Sequence, residues 1–261
     1  MGHKAGISRG MYMARKNRPT EGRLRARPVQ VTEVAPSGLH SLEVGVARGE
    51  YLLHVPATYR AASPASLMLW LHGAGRRARN FLTLEQQESA DAAGVILLVP
   101  TSHEYTRDVI ARRGRYGADV AAIERALEST FSRYAVDPMH IAVGGFSDGA
   151  SYALSLGITN GELFTHVLAF SPGFMMPAGQ RGSPRIFISH GTRDEVLPID
   201  RCSRKIVPQL RRRLRRWISR VRERAHSTAR RRAWGRRRLV RRRAVGSKRG
   251  GRGARRVRNR P

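Results

Sequence analysis

The chain has 261 residues, enough for one sizeable core, and no apolar run long enough to span a bilayer. Its formal charge of +30 would point to nucleic acid or an acidic surface, but 24 of the 49 Lys and Arg residues lie in 211–261 beside a single acid, Glu223. The first 210 residues carry a net of only +7, and the lone Cys202 excludes an intramolecular disulfide, so nothing requires an oxidising compartment and a cytoplasmic setting is expected.

In chain order, residues 1–28 contain no apolar stretch of signal-peptide type and read as a basic, poorly ordered leader. From residue 29 to 210 short apolar runs alternate with helical patterns. The candidate strands are VQVTEV, EYLLHV, SLMLWLH, VILLVP, HIAVGGF, HVLAFS and RIFISHG. Several are apolar on both faces, as in a parallel sheet covered by helices on each side. Between them LTLEQQESADAAG, GADVAAIERALESTFSRY and SDGASYALSLGI read as helices. This alternation predicts an α/β class domain over 29–210. Residues 211–261 break the pattern: their apolar residues have no stable period, and GSKRGGRGARRVRNRP is Gly/Arg low complexity, so a disordered tail is expected.

The sharpest motif is GGFSDGAS, which holds G-x-S-x-G as Gly145, Phe146, Ser147, Asp148 and Gly149 between a strand and a helix. That context is the one a nucleophile elbow needs, because small residues allow a strained turn that lifts the serine hydroxyl above the sheet. Upstream, LWLHGAG places His72, Gly73, Ala74 and Gly75 directly after an apolar strand. Acyl transfer needs two backbone N–H groups aimed at a developing oxyanion, and Ala74 and Asp148 are the candidate donors. His72 reads as a loop-holding residue. Downstream, FISHGTRDEVLPI puts Asp194 just past a strand, where it can orient and charge-stabilise a histidine; D-x-V-x-P is also an ordinary helix-entry turn.

These stretches, LWLHGAG, GGFSDGAS and HGTRDEVLPI, resemble the α/β-hydrolase serine esterases, in particular the phospholipase/carboxylesterase-like and polyhydroxyalkanoate-depolymerase-like branch. The resemblance spans about Val29 to Leu210 and implies an α/β-hydrolase fold: a mostly parallel sheet with helices on both faces. It further implies a small-molecule carboxylic ester as substrate, an acyl-enzyme on Ser147, Asp194 as triad acid, and no metal or organic cofactor. Oligomeric state stays open. No long insertion suggests a lipase lid, which favours a small or accessible ester.

The family also requires a histidine after the acid, on a loop following one more strand. Of nine histidines only His226 follows Asp194, and it lies in RERAHSTARRR, where neighbouring guanidinium groups oppose an imidazolium. The C-terminal strand, the histidine loop and the closing helix are therefore expected to be missing. Arginine is mostly CGN, so a GC-rich gene read out of frame yields it freely. Read one base later, the codons from Arg212 to Ala229 can spell AGYDVGYREFESGHTVPP, with the glycine under Trp217 fixed and most middle bases free. That string, chosen among the allowed residues to fit the family resemblance, is a turn, a strand and a Gly-His-Thr loop, and a reading-frame slip near Arg211 or Arg212 is the expected origin of the tail. The alternative is a genuine basic tail that binds nucleic acid without sequence preference, on a non-catalytic hydrolase scaffold.

Overall fold

A computed structural model describes residues 22–31, 35–45, 49–75, 77–111, 114–213 and 218–224. One mixed sheet of eight strands organises them: β1 (Gly38–Leu42), β2 (Tyr51–Val55), β3 (Ala65–Leu71), β4 (Val95–Pro100), β5 (Val136–Phe146), β6 (His166–Phe170), β7 (Arg185–Gly191) and β8 (Ile218–Arg224). The spatial order is β1-β2-β4-β3-β5-β6-β7-β8. β1 and β2 run antiparallel at one edge, and every pairing from β4 to β8 is parallel. The helices are α1 (Ala78–Phe81), α2 (Leu84–Ala93), α3 (Asp108–Ala111), α4 (Ala118–Phe131), α5 (Asp148–Thr159) and α6 (Ser203–Arg213). Among the described residues no helix is long and apolar enough to cross a membrane.

The period-2 alternation of the central strands separates two cores. Leu52, Leu97, Val99, Met68 and Trp70 face α1 and α2, meeting Ala78, Leu82 and Ala90. Leu53, Ile96, Leu98, Leu67, Leu69 and Leu71 join the other cluster with Ile123, Leu127 and Phe131 of α4 and Leu154 and Ile158 of α5. Both faces are thus covered, which is why these strands read as near-continuous apolar runs. On the α1 face the Trp70 ring stacks on Phe81 at 4.5 Å, and Phe170 and Phe187 extend the aromatic row across the sheet.

Three expectations are corrected. VQVTEV is not a strand in its described part: residues 29–31 are irregular and 32–34 lie outside the described residues. The antiparallel edge is instead GLHSL, a half-exposed strand whose polar residues hid it. The leader is not free throughout. Leu24 and Ala26 are buried, the N–H groups of Arg25 and Ala26 donate to the Glu124 carboxylate, and Leu24 N–H donates to Asn160 Oδ1 at 2.8 Å. Nor does the fold end at Leu210. α6 continues to Arg213, and the C-terminal strand expected to be missing is in place as β8, paired from Ile186↔Ile218 to Gly191↔Arg224. A parallel ladder is built from main-chain groups, and β7 would otherwise leave an unpaired edge, so even an Arg-rich segment can add a strand there. The expected histidine loop and closing helix fall outside the described residues.

Candidate active site

Parallel strands bring their carboxyl ends to one edge of the sheet, where ligands bind in open α/β folds. Ser147 leaves that edge from β5, the His72–Gly75 loop from β3, Ser171 from β6, the Asp194 turn from β7, and a loop from Thr101 to Arg107 from β4.

Ser147 sits between β5 and α5 with φ 57° and ψ −120°, a conformation that costs a non-glycine residue about 1–3 kcal/mol and persists only when its surroundings enforce it. They do. Its N–H donates to Phe170 O (2.9 Å), and its carbonyl accepts from Ala150 and Ser151 N–H (3.0 Å each). The flanking glycines are needed because chain segments cross there: a Cβ on Gly145 would meet Leu71 O and the Gly149 backbone, and one on Gly149 would meet the Leu71 and His72 carbonyls. Gly73 is less crowded, but its Cβ position still lies 3.3 Å from Phe146 O and 3.4 Å from Ser147 Cβ, so the loop carrying Ala74 abuts the serine. The N–H of Asp148, first residue of α5, has no intrahelical acceptor. Among the described residues neither it nor Ala74 N–H meets another acceptor.

His72 is confirmed as a loop-holding residue. Its Nε2 accepts from Ser102 N–H (2.9 Å), which leaves Nδ1–H to donate to Gly73 O (2.8 Å). Burial, with Arg107 adding to it, pushes its pKa down to about 4, so the ring is neutral at ordinary pH.

Asp194 is buried in a turn of its own. Oδ1 accepts from Val196 N–H (3.1 Å) and Leu197 N–H (3.0 Å). His190 Nε2 lies 3.6 Å from Oδ2, but its proton goes to Leu197 O (2.7 Å), and Nδ1 accepts from the Ser203 hydroxyl (2.7 Å). The His190 ring is buried, and both of its nitrogens are engaged by groups other than Ser147. His103 is exposed after β4, on the side of β5 away from Asp194. His226 lies outside the described residues. The edge thus gathers Ser147, Asp148, Ala74 and Asp194, with no histidine among the described residues to link serine and acid.

Several residues that the sequence reading passed over shape this edge. Ser171, just past β6, has φ 53°, and its buried hydroxyl has no partner among the described residues. Ser151, Ser155 and Thr159, one turn apart on α5, accept from Gly173, Met176 and Ala178 N–H at 2.9, 2.9 and 3.1 Å and so pin the segment after β6. Arg107, Asp108 and Asp119 are buried behind the β4–α3 loop. The i, i+4, i+8 hydroxyl spacing in SDGASYALSLGIT was the one readable signal. Ser147 thus sits on a strained strand-to-helix turn, and the N–H groups of Ala74 and Asp148 have no acceptor among the described residues.

The sequence pattern of the phospholipase/carboxylesterase family matches residues 117–232, a span that includes the elbow, Asp194 and β8. Curated relatives include the "Probable feruloyl esterase C" of Aspergillus niger, 27% identical over 158 residues (58% of this chain, 57% of that protein), and its namesake from Aspergillus oryzae, 26% identical over 159 residues (58% and 57%). The chain therefore spans less than two thirds of the length of the curated relatives it matches. Among solved structures, esterase PE8 superimposes with a TM-score of 0.54 at 20% identity (73% of this chain, 91% of that one). The Staphylococcus aureus S-formylglutathione hydrolase FrmB gives 0.56 at 11% (74% and 92%). These likenesses show the fold.

Proposed function

We propose that this chain, which has the α/β-hydrolase fold, is a serine hydrolase that cleaves carboxylic esters through an acyl-enzyme. Ser147 Oγ attacks the ester carbonyl, the N–H groups of Ala74 and Asp148 hold the oxyanion, and Asp194 orients and charge-stabilises the histidine that moves the protons. What carries the reading is the Ser147 elbow: a non-glycine residue at φ 57° is kept between β5 and α5 by two obligatory glycines, with Gly73 against it. The match to two probable feruloyl esterases makes aromatic-acid esters such as methyl ferulate the first substrates to test.

The base is the incomplete part. His72 and His190 are committed elsewhere, and the residues where a triad histidine belongs, after β8, lie outside the described residues. The reading-frame slip near Arg211 or Arg212 supplies it in the shifted frame, as the Gly-His-Thr loop. A strand after α6 belongs to the pattern in either frame. A chain without the histidine keeps the oxyanion site and loses on the order of 10⁴- to 10⁶-fold in turnover. The test is to express the chain as encoded and the same gene with one base removed near the Arg212 codon, and to assay both on p-nitrophenyl acetate and methyl ferulate. The corrected protein should hydrolyse esters and be labelled by a fluorophosphonate at Ser147, and Ser147→Ala should abolish both. Equal labelling of Ser147→Ala removes the nucleophile assignment. An inactive corrected protein beside an encoded chain that turns over through His226 removes the frame-slip reading.

A further inference from the structure

The two proposed oxyanion donors lie on segments far apart in sequence, Ala74 after β3 and Asp148 at the start of α5, and one loop holds both. On the β3 side, Gly75 N–H donates to Tyr105 O (2.7 Å), Ser102 N–H to His72 Nε2 (2.9 Å), and Ala78 N–H to Thr101 Oγ1 (3.0 Å). On the α5 side, Thr106 Oγ1 donates to Asp148 Oδ2 at 2.6 Å. The loop is itself hydrogen-bonded to the start of α4 and to the end of β4. His103 N–H and Asp108 N–H donate to the two oxygens of Asp119 (2.7 and 2.9 Å), Asp108 Oδ2 accepts from Gly117 and Asp119 N–H, and Arg107 donates to Pro100 O (2.7 Å).

We propose that Thr106 is a positioning residue for ester hydrolysis: it fixes the Asp148 carboxylate, and through it the Asp148 N–H, while the rest of the same loop fixes the Ala74 segment. The inference rests on the serine-hydrolase reading above. A carboxylate at the first position of a helix is attracted by the free N–H groups of that first turn. Left unpinned, it can swing back to accept from the N–H that the oxyanion needs, and it places negative charge where negative charge must develop. The Thr106 hydroxyl gives the carboxylate a competing partner on the loop, leaving the N–H open and oriented before reaction. Preorganised donors need no rearrangement when charge develops, which is what makes them effective. An aliphatic residue at 106 removes the bond, whereas serine retains it.

The test compares Thr106→Val and Thr106→Ser in the full-length chain by two measurements. Amide hydrogen exchange over 146–149 reads the elbow without reference to catalysis, and fluorophosphonate labelling of Ser147, carried out in the one-base-corrected protein, reads its reactivity. Thr106→Val should speed exchange in that peptide and slow labelling about tenfold. On p-nitrophenyl acetate, in the one-base-corrected protein, it should lower kcat with KM unchanged. Thr106→Ser should match the wild type throughout. Unchanged exchange in Thr106→Val overturns the proposal even if Ser147 proves unreactive, and that second result would remove the hydrolase reading separately. Faster exchange with unchanged labelling, a change in KM alone, or equal defects in the Val and Ser variants also overturns it.

Discussion

The carbonyl oxygen of Leu71, the last residue of β3, occupies the place where a Cβ on Gly149 would have to go. This contact locks the start of α5 against the end of β3 and brings the Ser147 turn beside the His72–Gly75 loop. The second glycine of G-x-S-x-G is therefore a statement about a neighbouring strand as well as about a turn.

Gly149→Ala should destabilise the fold by about 3 kcal/mol, because the new methyl meets backbone that has no rotamer to move. Helix propensity alone gives the opposite sign, since alanine is the better helix former by about 1 kcal/mol. Equilibrium urea unfolding distinguishes the two. A variant as stable as the wild type would mean that β3 and α5 are not in contact at this point.

Leu24→Ala should cost about 2–5 kcal/mol, the range for emptying a buried leucine site. Leu24 is fully buried, and its segment is tied to α5 by Asn160, whose Oδ1 accepts from Leu24 N–H and whose Nδ2 donates to Gly22 O at 2.7 Å. An unchanged unfolding midpoint would show that the segment is free of the core.

What the sequence made legible follows from what each element buries. β2 to β7 are read from apolar runs because helices cover both faces, and Ser147 is read because its motif needs a strand before it and a helix after. The edge elements were harder. GLHSL keeps its polar residues half in solvent, and the burial of Leu24 and Ala26 is written only as a two-residue alternation inside RLRAR, beneath the charge. β8 depends on backbone pairing to β7 and carries no apolar run to announce it. The bond from Thr106 to Asp148 joins residues 42 apart and follows from tertiary placement alone.

His72 makes the fold acid-sensitive. Its pKa is depressed in the folded state, from 6.5 to about 4, so below pH 6.5 the unfolded chain takes up a proton that the folded chain refuses. Stability from this residue is complete above 6.5 and is lost as pH falls toward 4, by about 3 kcal/mol at full effect. Urea unfolding of wild type and His72→Gln across that window should show the wild type losing more. Parallel curves would refute the assignment.

Asp108 acts in the opposite direction, and the two effects overlap. Burial, reinforced by the neighbouring Asp119 carboxylate, holds the Asp108 pKa above its ordinary 3.8. The folded chain thus binds a proton more readily than the unfolded one, so stability is greatest below 3.8 and falls as pH rises through the raised value. Asparagine can satisfy the same site: its oxygen can accept from Gly117 and Asp119 N–H, and its amide can donate to Tyr152, whose hydroxyl now donates to Asp108 Oδ1 at 3.0 Å. Asp108→Asn should therefore fold, lose the alkaline-going decline, and gain stability relative to wild type as pH is raised from 4 to 7. Because His72 titrates in part of the same range, the comparison belongs in a His72→Gln background, where the remaining slope is free of the His72 contribution. A double variant that tracks the single His72→Gln variant at every pH would show that Asp108 ionises alike in the folded and unfolded chain.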